Sequence, residues 1–158
     1  MKKIWIINYY SSPPKYVSNP RHLEFAKHLA KIGYDVTIFS SGFLRDKNLE
    51  LVPHGKEYHT VNYEEFKFVH IKVKHYKGNG LSRMLSITQF ALKLFMYRNN
   101  FEKPNIIIHN IHAPFDYPVS WCAKKLKSKY IVEAWDLWPD SFVRFGLIGG
   151  KNPLVKIA

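Results

Sequence analysis

The feature that most constrains this chain is its alternation of short, continuous apolar runs with longer stretches of helical period. Ile4–Ile7 is apolar without interruption and closes on Asn8, which predicts a strand buried on both faces over Ile4–Asn8. A polar loop with Pro13, Pro14 and Ser18 follows. Asn19-Pro20 then predicts a helix start, with Asn19 as cap and Pro20 in the first turn. Leu23, Ala26, Leu29, Ala30 and Ile32 form one inward stripe, and Gly33 suits the left-handed residue that ends such a helix. Asp35–Ser40 is a second strand. Strand, helix and strand in this order make a βαβ unit, whose crossover is right-handed.

The same alternation continues. Residues 41–66 read as polar and loop-like. Phe68–Lys74 alternates, with Val69, Ile71 and Val73 on one side and Phe68, His70, Lys72 and Lys74 on the other. It predicts a half-exposed strand with a basic face. Leu81–Tyr97 reads as a helix, Asn105–His109 as a buried strand, and Pro118–Lys127 as a helix with Val119, Cys122, Ala123 and Leu126 inward. Tyr130–Glu133 is the next strand and Pro139–Phe145 a short helix. The expected fold is α/β: a Rossmann-like, doubly wound, mainly parallel sheet.

Composition narrows the partners. The formal net charge is +12, from 24 basic and 12 acidic side chains, which favours anionic partners. Cys122 is the single cysteine, so no intrachain disulfide can form, as suits a reducing compartment. The apolar run after Met1 is too short for a secretory signal, and no stretch is long enough to span a bilayer. The expectation is a cytoplasmic protein, able to rest on the inner face of the membrane. Asn152–Ala158 reads as the opening of a helix that stops abruptly.

In open α/β sheets, ligands bind beyond the carboxyl ends of the strands. Asn8 follows the first strand and leads to Arg21 and His22 in the first helical turn. His109, Asn110, His112 and Asp116 follow the strand at 105–109, and Glu133, Trp135 and Asp136 end the next. His112 is the histidine placed for function, whereas His109 reads as a buried ring with satisfied bonds. Asp116 is either a site residue or a cap for the helix that follows. Arg21 and His22 stand where free N–H groups and the helix dipole favour phosphate or carboxylate, or where an arginine is simply solvated. No G-x-G-x-x-G, P-loop, zinc-ligand, H-E-x-x-H or G-x-S-x-G pattern occurs.

Phe66–Phe101 contains no acidic residue, while Lys72, Lys74, Lys77, Arg83 and Lys93 are basic. The helix within it is apolar around much of its circumference, with a narrow polar strip of Ser82, Ser86, Gln89 and Lys93. It is either packed on two sides or laid on a membrane beside those five cations.

Four segments together resemble bacterial family 4 glycosyltransferases. VEAWDLWPDSF, Val132–Phe142, is similar to their E-x-x-D-L-W-P-[DE]-S stretch. YKGNG at Tyr76–Gly80, PNIIIHNIHAPFDYP at Pro104–Pro118, and the opening βαβ unit at Ser11–Ser41 also resemble the family. The resemblance implies a GT-B enzyme of two Rossmann-like domains. Residues 1–150 would form the N-terminal, acceptor-side domain and 151–158 the start of a linker, the donor-binding domain with its paired glutamates lying beyond. It also implies a retaining transfer from a nucleotide-sugar co-substrate to a saccharide or lipid-linked acceptor in surface polysaccharide assembly (capsule or O-antigen), without a metal or other cofactor. By the same resemblance His112 lies beside the donor sugar, Glu133 and Asp136 are polar residues of the cleft, and Arg21 and His22 lie close to the donor phosphates. Glycosyl transfer would give Asp136 the acceptor hydroxyl to orient or deprotonate, and the place of Asn8, Arg21, His22, Asp116, Glu133 and Trp135 at the sheet edge makes them the expected substrate-binding residues. Many relatives carry a Gly-rich loop where this chain reads Lys15-Tyr16-Val17-Ser18-Asn19-Pro20. Two other functions fit the composition: a stand-alone nucleotide- or sugar-binding module, and a basic nucleic-acid-binding domain that would lack any known recognition motif.

Overall fold

The computed structural model describes residues 1–17, 20–78, 80–112 and 115–135. A six-stranded sheet runs in the order β5-β6-β2-β1-β7-β8. Its strands are β1 (Lys3–Ile7), β2 (Asp35–Ser41), β5 (Tyr58–Asn62), β6 (Lys67–Ile71), β7 (Ile106–Asn110) and β8 (Lys129–Glu133). Five are parallel, and β5 alone runs antiparallel, paired with β6 at one edge. β1 lies at the centre, Ile4 facing Val36 on one side and Ile106 on the other. That position explains the unbroken apolar run, because a central parallel strand is covered on both faces.

Helix α1 (Arg21–Lys31) packs on one face through Leu23 and Ala26, together with Ile4, Ile6, Ile38 and Phe68. Helices α2 (Leu81–Tyr97) and α3 (Pro118–Leu126) cover the other face over Trp5, Ile7, Phe39, Val69 and Ile107. Gly33 ends the first helical segment at φ +91°, a conformation glycine adopts without steric cost. Among the described residues no helix is long and apolar enough to cross a membrane. Asn19 and the helix expected over 139–145 lie outside the described residues.

Two expectations are corrected. Residues 41–66 are not merely a loop. They hold β5 and a small hairpin of β3 (Phe43–Leu44) and β4 (Leu49–Glu50), turned by Asn48 at φ +48°. β6 stops at Ile71 and has no basic face, since Phe68 and His70 are as buried as Val69 and Ile71. On α2, Ser82 of the polar strip is exposed while Ser86, Gln89 and Lys93 face protein. Ser86 is buried and donates to the Lys74 carbonyl at 2.9 Å, Gln89 accepts the Lys74 N–H at 2.6 Å, and Lys93 donates to the Lys72 carbonyl at 2.9 Å. The loop after β6 leaves the sheet with unpaired backbone groups, and this strip satisfies them. The helix therefore turns Leu81, Leu85, Leu92 and Met96 outward.

Candidate functional site

A cleft of about 360 Å³ opens at the carboxyl edge of the sheet. One wall comes from Asn8 beyond β1, His22 in the first turn of α1, Asn110 and His112 at β7, and Trp135 beyond β8. These positions are far apart in sequence and meet because five parallel strands end at one edge.

The partners of Asn8 fix the protons in this wall. Its Oδ1 accepts the Tyr10 N–H at 2.8 Å, so its Nδ2 faces His22 Nδ1, 2.9 Å away, and donates to it. His22 then carries its proton on Nε2, which donates to Glu133 Oε2 at 3.0 Å. Glu133 also accepts from Arg21, so a single carboxylate joins both residues of the first helical turn. His22 lies flat on the Trp135 indole, with centroids 5.5 Å apart and planes at 13°, and the Arg21 guanidinium sits 5.2 Å above the same ring. Burial pulls the His22 pKa below the usual imidazole range against the opposing pull of Glu133. The anion expected at the start of α1 is therefore supplied here by the chain itself.

A second group lies beneath His112. Asp116 is buried, and its Oδ2 accepts from His109 Nε2 at 3.1 Å and from the His112 backbone N–H. Tyr130 Oη lies 2.7 Å from His109 Nδ1. Asp116 does not cap α3 with its side chain, so the capping alternative is set aside. Burial would raise its pKa, but the His109 and His112 bonds outweigh burial and hold the carboxyl well below the ordinary carboxylate range. His109 has its expected character: a buried ring with both nitrogens engaged.

The opposite wall is aromatic and basic. Tyr10, Tyr16, Phe43, Tyr76, Arg45 and Lys47 line it. Arg83 Nε donates to Tyr10 Oη at 2.6 Å, and the Tyr10 ring meets His112 edge-on at 5.0 Å. Burial pushes the Tyr76 hydroxyl up to about 12, and Tyr9 beside it bonds Ser86 at 2.7 Å. Sequence reasoning missed this wall because it placed Phe43–Lys47 in a loop. Asn48, a residue type that turns readily, following Phe43-Leu44 and preceding Leu49-Glu50, is the signal that would have found the hairpin.

The structure thus brings together Asn8, Arg21, His22, His112, Asp116, Glu133 and Trp135, while Asp136 lies outside the described residues. The five cations expected on one surface are divided. Arg83 joins the cleft wall, Lys93 pairs with Glu57 at 2.6 Å, Lys72 is half-buried, and Lys74 and Lys77 are exposed. Among the described residues no three His, Cys, Asp or Glu side chains are arranged to hold a metal ion.

The fold and the cleft define an α/β protein of the Rossmann-like class, and comparison with solved structures agrees. The chain is similar to a sucrose-phosphate synthase from Thermosynechococcus elongatus, with TM-score 0.57 and 11% identity over 96% of this chain and 36% of that one. This chain therefore spans about a third of that synthase. It is also similar to the C-terminal domain of a Pyrococcus furiosus hydrogenase, with TM-score 0.54 and 15% identity over 84% of this chain and 90% of that one. At these identities the likeness carries the fold. No family model and no curated protein matches the chain.

Proposed function

We propose that this chain is the acceptor-side domain of a two-domain, GT-B-type glycosyltransferase of the family 4 kind. The full enzyme moves a sugar, with retention and without a metal, from a nucleotide-sugar to a saccharide or lipid-linked acceptor in surface polysaccharide assembly. The observation that carries the reading is the convergence of His112, His22 and Trp135 on one cleft at the sheet's carboxyl edge, with Glu133 held against His22. The likeness to a sucrose-phosphate synthase supports it. Glycosyl transfer develops cationic character at the sugar and negative charge on the departing phosphate, and it needs dipoles fixed before reaction. His112 hydrogen-bonds the sugar. Arg21 and the first turn of α1 favour the leaving diphosphate once Glu133 yields its place, and Asp136 serves the acceptor hydroxyl. The aromatic wall of Tyr10, Tyr16 and Tyr76 offers ring faces for an acceptor saccharide.

The test is turnover by the protein extended with its second domain, given a panel of sugar nucleotides and lipid-linked acceptors. One donor should be used, and His112→Ala should lower kcat by roughly 10²–10³, the loss expected for a dipole acting on the transition state. Failure of every donor, or unchanged turnover in the variant, overturns the reading.

The outward face of α2 and α3 suits an acceptor held in a membrane. Leu81, Leu85 and Met96 are each more than 60% exposed, and Trp121 of α3 adds an exposed indole beside Phe95. Exposed Lys124 and Lys125 flank Trp121, and neither helix contains an acidic residue. An apolar stripe edged by cations is the pattern of a helix lying on anionic lipid. The chain should sediment with phosphatidylglycerol vesicles and less with phosphatidylcholine vesicles. Leu85→Glu with Leu92→Glu should weaken that binding about tenfold or more. Equal binding by the variant would remove the membrane from the reading.

A further inference from the structure

Beneath the cleft, four side chains are linked in a line from β8 through β7 to the segment before α3. Each link constrains the next. Asp116 is ionised, so it only accepts. His109 Nε2, 3.1 Å from Asp116 Oδ2, therefore carries a proton. In a neutral ring the other nitrogen of His109 is then bare, and it accepts the hydroxyl proton of Tyr130 at 2.7 Å. Tyr130 keeps that proton, because burial pushes its pKa up to about 12.

The carboxylate oxygen that accepts from His109 also faces His112. The His112 backbone N–H donates to Asp116 Oδ2, which anchors the residue, and its ring Nδ1 stands 3.6 Å from the same oxygen. That Nδ1 is sealed from water and has no hydrogen-bond partner among the described residues. A bare lone pair turned toward an anion in a dry site is repelled, whereas an N–H there is attracted. His112 as a whole still lines the cleft.

We infer that Tyr130, His109 and Asp116 form a buried positioning relay that keeps the His112 proton on Nδ1 and presents its Nε2 to the cleft as a hydrogen-bond acceptor. The group recognised at this point is then a donor, an O–H or N–H, and in the glycosyltransferase reading on which this last step rests it is a sugar hydroxyl. Asp116, His109 and Tyr130 touch no substrate. They act through the tautomer and orientation of His112. The sequence separation explains why composition does not reveal the line: Tyr130 lies 21 residues beyond His109, and only the β7–β8 register, with Ile107 beside Tyr130 and His109 beside Val132, brings the two together.

The test reads protons directly, in the chain without substrate. Long-range ¹H–¹⁵N correlation of the imidazoles should show His112 with a pyrrole-like Nδ1 and a pyridine-like Nε2, and His109 with the reverse. A His112→Gln sample assigns the signals. His112 with its proton on Nε2, or averaging between tautomers, overturns the inference. In Asp116→Asn, His112 should lose the Nδ1–H form and average as a solvated ring does. An unchanged tautomer would show that the carboxylate does not set it. Should that variant fail to fold, Tyr130→Phe is the milder probe: the Nε2–H population of His109 should fall, and an unaltered His109 pattern removes Tyr130 from the relay. Because no sugar is present, these outcomes stand apart from the turnover experiment, whose failure would leave the relay intact.

Discussion

Trp5→Ala is expected to destabilise the domain by roughly 3–5 kcal/mol, the range for emptying a large aromatic site in a packed core. Trp5 is 1% exposed on the central strand. Its ring packs against Phe39 at 4.6 Å and Phe101 at 6.2 Å, and its Nε1 donates to the Glu102 carbonyl at 3.1 Å. One substitution thus removes ring contacts on the α2 side of the sheet and leaves a backbone acceptor without its donor. Domains of this kind have a total stability of about 5–15 kcal/mol, so this one change removes a large share of it. Urea denaturation followed by circular dichroism measures the loss. Trp5→Phe should recover most of it, since the ring site stays filled and only the hydrogen bond is lost. A loss below about 1 kcal/mol for the alanine variant would mean that the sheet does not pack as described.

The second large effect is acid lability set by His70. The ring is 2% exposed, stacks on Phe68 at 4.6 Å, and pairs through Nδ1 with Ser40 Oγ at 3.1 Å. Burial, aided by the neighbouring His59, pushes its pKa from 6.5 down to about 4. Below pH 6.5 the unfolded chain takes up a proton that the folded chain refuses until about pH 4. The unfolded state binds more protons throughout that window, so stability falls as pH falls, by ~1.4 kcal/mol per unit and about 3 kcal/mol in all. His22 contributes with the same sign, its pKa also being lowered by burial. Asp116 adds a separate, lower leg. Its folded pKa is depressed, so the stability it contributes is present above the unfolded value of 3.8 and disappears as pH drops below it. Denaturant titrations at a series of pH values should show the upper leg in the parent and a flatter one in His70→Gln. An identical slope in both would rule His70 out as its source.

The fold is legible in the sequence where local pattern suffices and not where it does not. Ile4–Ile7 and Asn105–His109 announce buried parallel strands because nothing but apolar side chains suits a central position, and the observed β1 and β7 differ from these spans by a residue. Leu81–Tyr97 was legible to the residue as a helix, but its orientation was not. Which way α2 turns depends on the unpaired carbonyls and N–H groups of the loop at Lys72–Lys74, and a helical wheel contains no information about them. His70 misled for a related reason. A histidine between lysines suggests a wet face, yet Phe68 on the same face belongs to the cluster under α1, and His70 is buried with it. Two-residue strands such as β3 and β4 are too short to show any period at all.

By itself the sequence determined the order of the parallel strands and their helices, the parallel sheet that this order entails, and the edge at which Asn8, His22, His112 and Glu133 would gather. These follow from side-chain periodicity and chain connectivity, which are local. Only the tertiary structure decided which polar groups meet: Glu133 reaching Arg21 across 112 positions, Tyr130 meeting His109, and Asp116 turning to two histidines instead of capping a helix. Such pairings are fixed by strand register and by the need of each buried donor and acceptor for a partner, and both conditions arise only once the sheet has formed.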